Sequence, residues 1–525
     1  MKKILVLLIA LISSLTLMAC GGDNDSPDVD KDGKKIITFF GWGSTDEQLI
    51  FQTMISEFEE LYPEYTVNYQ STTSENYITA LAGFKNNPRS MPDVFYMPDV
   101  NFVQWVNMNN NIMLDLSDYI ASSDVFDLDD VYAEGINAYM FDSKTKTLGT
   151  GGIYALPKDL GPNVLAYNKT MTKANGVTII SDPNGEYGYN PETKTLNDKV
   201  PMTWAQFIEF CKVNSKGSLD QSNSVVGITH YPLESAYLSN GGKFLTDGNK
   251  KITIANDKYA EALQFVADLS NEYGVMTTAE GQSTQNGMAR FSSGLAGSCF
   301  IGAWDTPTLW KVKFEWDILY TPVPNQSGDL SNWKDTYREG CSSQSYLGSV
   351  GISVYKNSKV LDAAYKLCEF LTVHPIAQKI NYELGQAVPN LISMAEGEFL
   401  TAQLQDPVTG YNRPENREVY IDMMKNSQRR PQAYTYNATW YDEMWESGNN
   451  SLKLYRVWYP KSSSYGSHVD VWSWTTKSMT SDGQTFLSGL ESSCQKYLDD
   501  YSSKYSWWLV WQVQRSLVEK LKPTF

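Results

Sequence analysis

The sequence predicts an α/β protein with parallel, doubly wound sheets, organised in more than one lobe. Near its start, three short runs rich in β-branched and aromatic residues alternate with two segments that carry apolar residues at helical spacing. This alternation of strand and helix is typical of a parallel sheet. The chain has 525 residues, which is too long for one compact core.

The first strand and helix follow from local signals. Ile36 to Phe40 predicts a buried strand, and Gly41-Trp42-Gly43 predicts a turn after it. Ser44 or Thr45 can cap a helix whose first turn holds Asp46 and Glu47. The helix should end before Pro63, and its apolar face is formed by Ile50, Met54, Phe58 and Leu61.

The next elements predict where a ligand would bind. We expect a strand over Tyr65 to Tyr69, a helix over Ser74 to Phe84 and a strand over Pro92 to Met97. Ligands of such sheets lie beyond the carboxyl ends of the strands. Trp42 and the Pro98-Asp99 pair should therefore face a cleft, whereas Tyr77, at apolar helical spacing, is expected in the core.

The N-terminus has the layout of a secretory signal. Lys2 and Lys3 precede the apolar run Ile4 to Ile12, which is shorter than the roughly 20 residues of a membrane span. The ending Leu17-Met18-Ala19-Cys20 resembles a bacterial lipobox. That resemblance implies a signal peptide over residues 1–19 and lipidation of Cys20, so that the protein is extracytoplasmic and lipid-anchored to the cell membrane. An ordinary secreted protein is the alternative.

Residues 20–35 are predicted to be a flexible acidic linker after the lipid. They contain one valine and no other large apolar residue. Asp28, Asp30, Asp32 and Gly33 copy the opening of a calcium loop, but the twelfth position holds Phe39, which cannot ligate a metal. We therefore expect a solvated spacer.

Composition excludes several classes of function. A formal net charge of −17 makes nucleic acid and anionic lipid poor partners. Only three histidines are present, and the cysteines after Cys20 are scattered without zinc spacing, so we expect no metal and no cofactor. Aromatic residues are abundant, with 15 Trp and 33 Tyr.

The segment ITFFGWGSTDEQLIFQTMISEFEELYPEYTVNYQ resembles the first module of bacterial extracellular solute-binding proteins. The similar proteins are the carbohydrate branch, which serves ABC importers and includes the maltose-binding proteins. The likeness continues in the family's order over residues 36 to 400. Its later blocks are NYITALAGFKNNPRSMPDVFYMPD, GIYALPKDLGPNVLAYNKTMTKANGV, PMTWAQFIEF, YLSNGGKFL, YAEALQFVADLSNEYGV, GLAGSCFIGAWDTP and KVLDAAYKLCEFLT.

The resemblance implies a two-lobed, periplasmic-binding-protein-like fold of type II. Two or three crossover strands would join the lobes, with hinges near Ile153 to Lys158 and Ser343 to Ile352. Sugar would bind in the cleft, and the lobes would close on it by hinge motion. The expected division is lobe one over 36–154 and 350–402, and lobe two over 157–345 and 404–525.

The candidate binding residues combine rings for the apolar face of a sugar with planar polar groups for its hydroxyls. Asp159, in YALPKD, stands where the family places a polar ligand residue, and Trp304 with Asp305, in GAWD, matches the family's G-x-W segment. Several rings would favour an oligosaccharide. The full set is Trp42, Tyr96, Asp99, Asn101, Asp159, Trp304 and Asp305.

The match weakens from Leu404 onward, where eight of the tryptophans lie. Trp472 and Trp474 alternate like one face of a strand, and they would serve either packing or sugar stacking. The Ser-rich segment 461–484 is predicted to be a loop, and the insertion Ser181 to Lys199 is predicted to be an ordered or mobile loop.

The predicted function is carbohydrate capture by a membrane-anchored, monomeric, non-enzymatic protein that delivers its cargo to the permease of an ABC importer. Three alternatives remain open at this point. The same cleft would serve a membrane sugar sensor, and a surface glycoside hydrolase would need two carboxylates about 5–9 Å apart. The fold also suits ions, peptides or polyamines.

Overall fold

Two sheets flanked by helices form the framework of the molecule. The computed structural model describes residues 27–108, 111–145, 147–217, 224–247, 250–277, 287–385, 387–402, 414–429 and 486–499. The lipobox with Cys20 and the loop predicted at 461–484, which contains Trp472 and Trp474, lie outside these residues.

The described strands, in chain order, are β1 (Lys35–Trp42), β2 (Tyr65–Thr72), β3 (Val94–Pro98), β4 (Met140–Asp142), β5 (Thr147–Leu148), β6 (Gly152–Ile153), β7 (Leu156–Pro162), β8 (Val164–Asn168), β9 (Thr178–Ile180), β10 (Tyr189–Asn190), β11 (Thr195–Asn197), β12 (Val226–Ile228), β13 (Leu245–Thr246), β14 (Lys251–Ile252), β15 (Ala296–Ile301), β16 (Trp316–Leu319), β17 (Tyr346–Val354) and β18 (Gln428–Arg429).

The described α-helices are α1 (Thr45–Leu61), α2 (Ser74–Asn86), α3 (Asp99–Val106), α4 (Ser117–Ala121), α5 (Ala133–Asn137), α6 (Lys169–Ala174), α7 (Trp204–Val213), α8 (Leu233–Ser239), α9 (Asp257–Asn271), α10 (Gly287–Ser292), α11 (Thr306–Leu309), α12 (Leu361–Val373), α13 (Pro375–Glu383), α14 (Ile392–Ala395), α15 (Glu398–Thr401), α16 (Glu418–Asn426) and α17 (Phe486–Asp499). Short 3-10 turns occupy Pro88–Ser90, Leu128–Asp130 and Ala303–Asp305.

The first sheet begins as the sequence predicts. Its strand order is β18-β17-β3-β1-β2, with β7 pairing to β17, and β1 runs parallel to both β2 and β3. Ser44 caps α1 and exchanges hydrogen bonds with Glu47 in a capping box, and the helix ends at Leu61, ahead of Pro63. The apolar face of α1 is buried against the sheet because Ile50, Met54 and Phe58 recur at helical spacing.

The second sheet has the order β12-β15-β8-β16. Strand β15 is parallel to β12 but antiparallel to β8, and β16 is also antiparallel to β8. Helices α7, α8 and α9 contribute to its core, in which the rings of Trp204 and Phe265 stack with centroids 4.2 Å apart. The sheets therefore have separate helical layers, which divides the molecule into lobe one around the first sheet and lobe two around the second.

Strands β7 and β17 connect the two sheets. They pair antiparallel from Leu156 opposite Ile352 to Pro162 opposite Leu347, and β17 also pairs with β3 in the first sheet. Only Asn163 separates β7 from β8 of the second sheet. The chain leaves the first sheet at Asn163, beyond the predicted hinge at Ile153 to Lys158, and re-enters that sheet in β17, which overlaps the predicted hinge at Ser343 to Ile352.

The described part of the C-terminal region contacts both lobes. The amide of Asn416 donates to Asp317 Oδ1 at 3.0 Å in lobe two, and Arg417 Nη2 donates to the Leu400 carbonyl at 3.1 Å in lobe one. Helix α17 packs on the core of lobe two, where Gln495 Oε1 accepts a hydrogen bond of 2.8 Å from the Ile252 amide. Strand β18 pairs with β17 of the first sheet, and the predicted assignment of residues 404–525 to lobe two stays a prediction.

Two segments are more regular than the sequence analysis expects. The end of the predicted linker forms a turn, in which Asp30 Oδ1 accepts hydrogen bonds of 2.9 Å from the amides of Asp32 and Lys34. The insertion over 181–199 holds the hairpin of β10 and β11, and β11 pairs with β9. Polar side chains stabilise this insertion, since Asn197 Nδ2 donates to the Asp182 carbonyl.

The cysteines that the structure describes, Cys211, Cys299, Cys341, Cys368 and Cys494, are free thiols. Among the described helices, none has both the length and the apolar character that a membrane span requires.

Glycine at position 351 is required by the close packing of the crossover. A Cβ atom on Gly351 would lie 2.8 Å from the Ala155 Cβ and from the Tyr139 ring. Gly351→Ala should therefore lower the free energy of unfolding by about 1–3 kcal/mol. Gly83→Ala, at an exposed site of α2 with open space, should raise it by about 0.5–1 kcal/mol. Urea unfolding measures both values; equal effects would contradict the packing at the crossover.

Candidate functional site

Trp42 ends β1 at the carboxyl edge of the first sheet. Its half-buried ring lies 4.6 Å from the ring of Tyr77 and 5.0 Å, edge-to-face, from that of Tyr96. Tyr77 is in the core as predicted, and its hydroxyl donates to the Tyr96 carbonyl at 2.8 Å. These contacts fix the orientation of Trp42 while part of its ring remains exposed.

Tyr96 has no exposed surface, so it supports the site from below instead of offering a ring face to a ligand. Its ring contacts Phe39 and Phe51 as well as Trp42. Burial raises the pKa of the Tyr96 hydroxyl well above its ordinary value.

The buried ammonium group of Lys158 lies above this aromatic layer. Its Nζ is 5.5 Å from the ring centroids of Phe51 and Tyr96, 2.8 Å from Asp159 Oδ2 and 3.9 Å from Glu47 Oε1. Burial lowers the pKa of Lys158, but the two carboxylates outweigh that effect and raise it above its ordinary value. Lys158 is therefore a permanent cation that joins α1 of lobe one to the crossover strand β7.

Asp159 on β7 and Asp99, the first residue of α3 directly after β3, approach β17 from its two sides. Asp159 Oδ1 accepts a hydrogen bond of 2.9 Å from the Val350 amide, and Asp99 Oδ2 accepts one of 3.3 Å from the Ser349 amide. Both carboxylates are buried, with 5% of their surface exposed. Asn101 lies two residues further along α3 and is half-buried.

Trp304 and Asp305 lie in the 3-10 turn that follows β15. The ring of Trp304 covers Gly161 of β7, on which a Cβ atom would be 3.1 Å from the ring. Asp305 Oδ2 accepts a hydrogen bond of 3.0 Å from the Gly302 amide. Burial raises the pKa of Asp305 to about 6, and the charge of Glu47 contributes to this increase. Asp305 of lobe two is thus within electrostatic reach of α1 in lobe one.

The segment after Asp305 contacts lobe one directly. Lys311 Nζ forms an ion pair with Asp46 Oδ2, in the first turn of α1. The Trp310 ring packs against Gly385, whose φ of +79° and lack of a Cβ atom permit the approach. The two lobes therefore meet beside the residues described above.

The structure brings six of the seven predicted residues into one connected group. Trp42 contacts Tyr96, whose ring lies beside Lys158. Asp99 and Asp159 both accept hydrogen bonds from β17. Trp304 packs on Gly161 of β7, and Asp305 interacts electrostatically with Glu47. Asn101 is near the group only through its place on α3. Glu47, Lys158 and Gly161 also belong to this group, and the sequence analysis did not name them as candidates.

The sequence contained partial signals for the missed residues. The sequence analysis identified Glu47 only as a charge in the first turn of α1. The structure confirms that role, since Glu47 Oε2 accepts a hydrogen bond from the Ser44 amide. Lys158 directly precedes the predicted Asp159. Nothing in the sequence indicates that Gly161 lies under Trp304, because that contact joins residues far apart in the chain.

Stability should depend on pH through Asp305. The pKa of Asp305 in the folded protein is about 6, above the ordinary value of 3.8. The stability that Asp305 contributes to the folded state is therefore fully present below about pH 4 and is lost as the pH rises through 6. Each pKa unit is worth about 1.4 kcal/mol. Asparagine does not ionise. Between pH 4 and pH 7 the free energy of unfolding of Asp305→Asn should therefore rise by up to about 3 kcal/mol relative to that of the wild type.

Urea unfolding at several pH values measures this difference, with Asp124→Asn as the control at an exposed position. The difference in the free energy of unfolding between Asp124→Asn and the wild type should stay nearly constant over the same pH range. A difference for Asp305→Asn that does not vary with pH would contradict the burial of an ionisable Asp305.

Comparisons with known proteins agree with this architecture. The family model described as "Bacterial extracellular solute-binding protein" matches residues 42–377. No curated protein matches the chain.

Solved structures of sugar-binding proteins share the fold. An ABC substrate-binding protein of Listeria monocytogenes, in complex with cycloalternan, has 18% identity and a TM-score of 0.64 over 89% of this chain and 98% of its own. The GacH receptor of Streptomyces glaucescens, solved unliganded and with acarbose, has 15% identity and a TM-score of 0.62 over 89% and 99%. Maltose-bound T. maritima MalE3 has 17% identity and a TM-score of 0.58 over 88% and 98%.

The described sheets, their crossover strands and these matches identify a two-lobed, periplasmic-binding-protein-like fold. Because the family model covers more than half of the chain, this protein belongs to the bacterial extracellular solute-binding protein family.

Proposed function

We propose that this protein captures an oligosaccharide between its lobes and delivers it to an ABC importer. The main support for this proposal is that Trp42 of lobe one and Trp304 of lobe two are both linked to the crossover strand β7. Trp42 reaches β7 through Tyr96 and Lys158, and Trp304 lies directly on Gly161.

The arrangement suits a pyranose, which has an apolar face of C–H groups and a rim of hydroxyls. Trp42 and Trp304 are both half-buried, so part of each ring can stack on the apolar face. Carboxylates at Glu47, Asp159 and Asp305 can accept hydrogen bonds from hydroxyls, each of which costs about 1–3 kcal/mol if it is buried without a partner. The similar structures were solved with cycloalternan, acarbose and maltose, which supports a carbohydrate cargo.

Delivery would use closure of the two lobes about β7 and β17. A short connection such as Asn163, between strands of two different sheets, is where a hinge can absorb the change in backbone angles. The ion pair of Lys311 with Asp46 joins the lobes beside the site and would favour their approach. The closed form would then be presented to the permease by a monomer.

We further propose that lipid on Cys20 holds the protein at the outer side of the cell membrane. Its support is the lipobox-like ending of the signal and the acidic residues that follow it. The family is extracellular, which agrees with secretion.

Asp305 makes a glycoside hydrolase the second candidate to test. A raised pKa and a neighbouring carboxylate, Glu47, are features that a general acid requires. In this structure the Asp305 carboxylate is engaged by the Gly302 amide at its own turn, which gives it a structural role. A sugar sensor would use the same cleft with a different membrane partner.

Trp304→Ala should weaken glycan binding at least tenfold, about 1.4 kcal/mol, because it removes a stacking face while sparing the carboxylates. The detergent-solubilised protein is first screened against mono- and oligosaccharides by thermal shift, and titration calorimetry then gives the dissociation constants. Trp333→Ala is the matched control, since Trp333 is half-buried in a loop of lobe two that contacts Tyr187.

Chromatography of each glycan after incubation separates the carrier from the hydrolase. Unchanged glycan with a clear shift supports the proposal, and breakdown products from the wild type would favour the enzyme. Shifts only with ions, peptides or polyamines would reject carbohydrate as the cargo.

Cys20→Ala should release the protein from the membrane. The wild type should sediment with membranes and incorporate an alkyne-tagged fatty acid, whereas the variant should do neither. Membrane association of the variant at the wild-type level would contradict the lipid anchor.

A further inference from the structure

A small cavity lies where the two lobes meet the C-terminal segment. It holds about 300 Å³ of space, its opening included. Its walls come from lobe one, from lobe two and from the start of α16, and they include Ala303, Thr306, Tyr382, Phe399, Arg417 and Tyr420. Ala303 and Thr306 flank Trp304 and Asp305 in the chain, so the cavity adjoins the candidate site.

The guanidinium group of Arg417 is buried in the wall of this cavity. Only 9% of the surface of Arg417 is exposed. Its Nη2 donates to the Leu400 carbonyl at 3.1 Å, and its Cζ is 5.7 Å from the centroid of the Phe399 ring. Within the described part of the chain, its Nε has no hydrogen-bond partner and no carboxylate forms an ion pair with it. Arg417 is therefore a buried cation without a bound anion.

The carboxylates around the cavity are engaged by other groups. Asp317 Oδ2 and Glu415 Oε2 lie 3.4 Å and 3.0 Å from Lys169 Nζ, and they pair with that ammonium group. Asp305 Oδ2 accepts a hydrogen bond from the Gly302 amide. A buried charge is ordinarily paired, because removing it from water without a partner is costly.

The pKa of Arg417 shows the same shortage of negative charge. Burial lowers the pKa of Arg417, and the charges of Asp317 and Glu415 offset that effect only in part. Lys158 is the opposite case, since its two carboxylates outweigh burial and raise its pKa. The planar guanidinium group binds a carboxylate through two parallel N–H···O hydrogen bonds, so a carboxylate is the group that would best complete this cavity.

We propose that Arg417 forms a subsite for one carboxylate group, which a uronic acid unit of the cargo glycan would place in the cavity while a neighbouring sugar stacks on Trp304. This inference rests on the proposed function and names the chemical class of its cargo, an acidic oligosaccharide. Arg417 is the specificity-determining residue. The formal net charge of −17 opposes an acidic glycan only at long range, where salt screens it beyond about 8 Å.

The experiment compares neutral glycans with the same glycans made acidic. Maltotriose, cellotriose and mannotriose are titrated into the detergent-solubilised wild type at pH 7.5, beside the same trimers with a C6 carboxylate on the non-reducing unit. At least one acidic trimer should bind at least tenfold more tightly than its neutral parent. The reason is that a hydrogen bond between charged groups is about twice as strong as one between neutral groups.

Variants at Arg417 test whether this residue causes the preference. Arg417→Gln removes the charge and should reduce the preference at least fivefold, with binding of the neutral trimer changed less than twofold. Arg417→Lys keeps the charge without the planar fork and should retain part of the preference. The matched control is Arg338→Gln, at a half-buried arginine of lobe two that pairs with Glu261, and it should leave the preference unchanged.

A free carboxylate could satisfy the same guanidinium group, so a second arm separates the two sources. Thermal shifts of the wild type and of Arg417→Gln are measured with sodium acetate against sodium chloride at equal ionic strength. A shift with acetate that Arg417→Gln abolishes, without any preference for acidic trimers, would overturn the glycan as the source of the carboxylate.

The remaining outcomes also decide the inference. Equal or weaker binding of every acidic trimer, or a preference that Arg417→Gln leaves unchanged, would overturn the subsite and leave the carbohydrate function intact. A variant that melts at a lower temperature and binds both trimers equally less well would show a purely structural Arg417 and overturn it too. Failure of every trimer, neutral or acidic, would instead count against the proposed function, and the subsite would fall with it.

Discussion

The buried ammonium group of Lys158 is the interaction on which the rest of the site depends. It is placed over two aromatic rings and held by Asp159 on its own strand and Glu47 on α1. Each of these charges is tolerated inside the protein because the others are present. Breaking such a buried arrangement by removing one partner costs about 3–5 kcal/mol, so its members constrain one another.

The position of Lys158 on the crossover strand joins the site to the hinge. Within seven residues, β7 carries the ammonium group, the carboxylate of Asp159 and Gly161 under Trp304. The same strand pairs with β17 and leads into lobe two. Movement of one lobe against the other must therefore change the surroundings of the rings and charges that a sugar would contact. Strand β7 therefore takes part both in sugar binding and in closure of the lobes.

Local signals explain which parts of the fold the sequence predicts. The start of α1 at its Ser44 cap, its end before Pro63 and the parallel strands around it depend on residues close together in the chain. Tyr77 was assigned to the core correctly for the same reason. The family resemblance extended this reading to the two-lobed fold.

Contacts between distant residues explain what the sequence could not predict. The complete burial of Tyr96 and the hydrogen bond of Asp99 depend on β7 and β17, which come much later in the chain. The packing of Trp304 on Gly161 likewise arises only when the two lobes come together in the folded protein. An ordered loop was one of the two predictions for 181–199, but the short strands β10 and β11 within it were not predicted, because its Pro, Gly and Asn content resembles that of a loop.

The most direct test of this account is a crystal structure of the protein with the glycan that gives the largest thermal shift. We expect a sugar ring between the lobes, stacked on Trp304, with hydroxyls within hydrogen-bond distance of Glu47, Asp159 or Asp305. A glycan bound on the outer surface of either lobe, with nothing between Trp42 and Trp304, would contradict it.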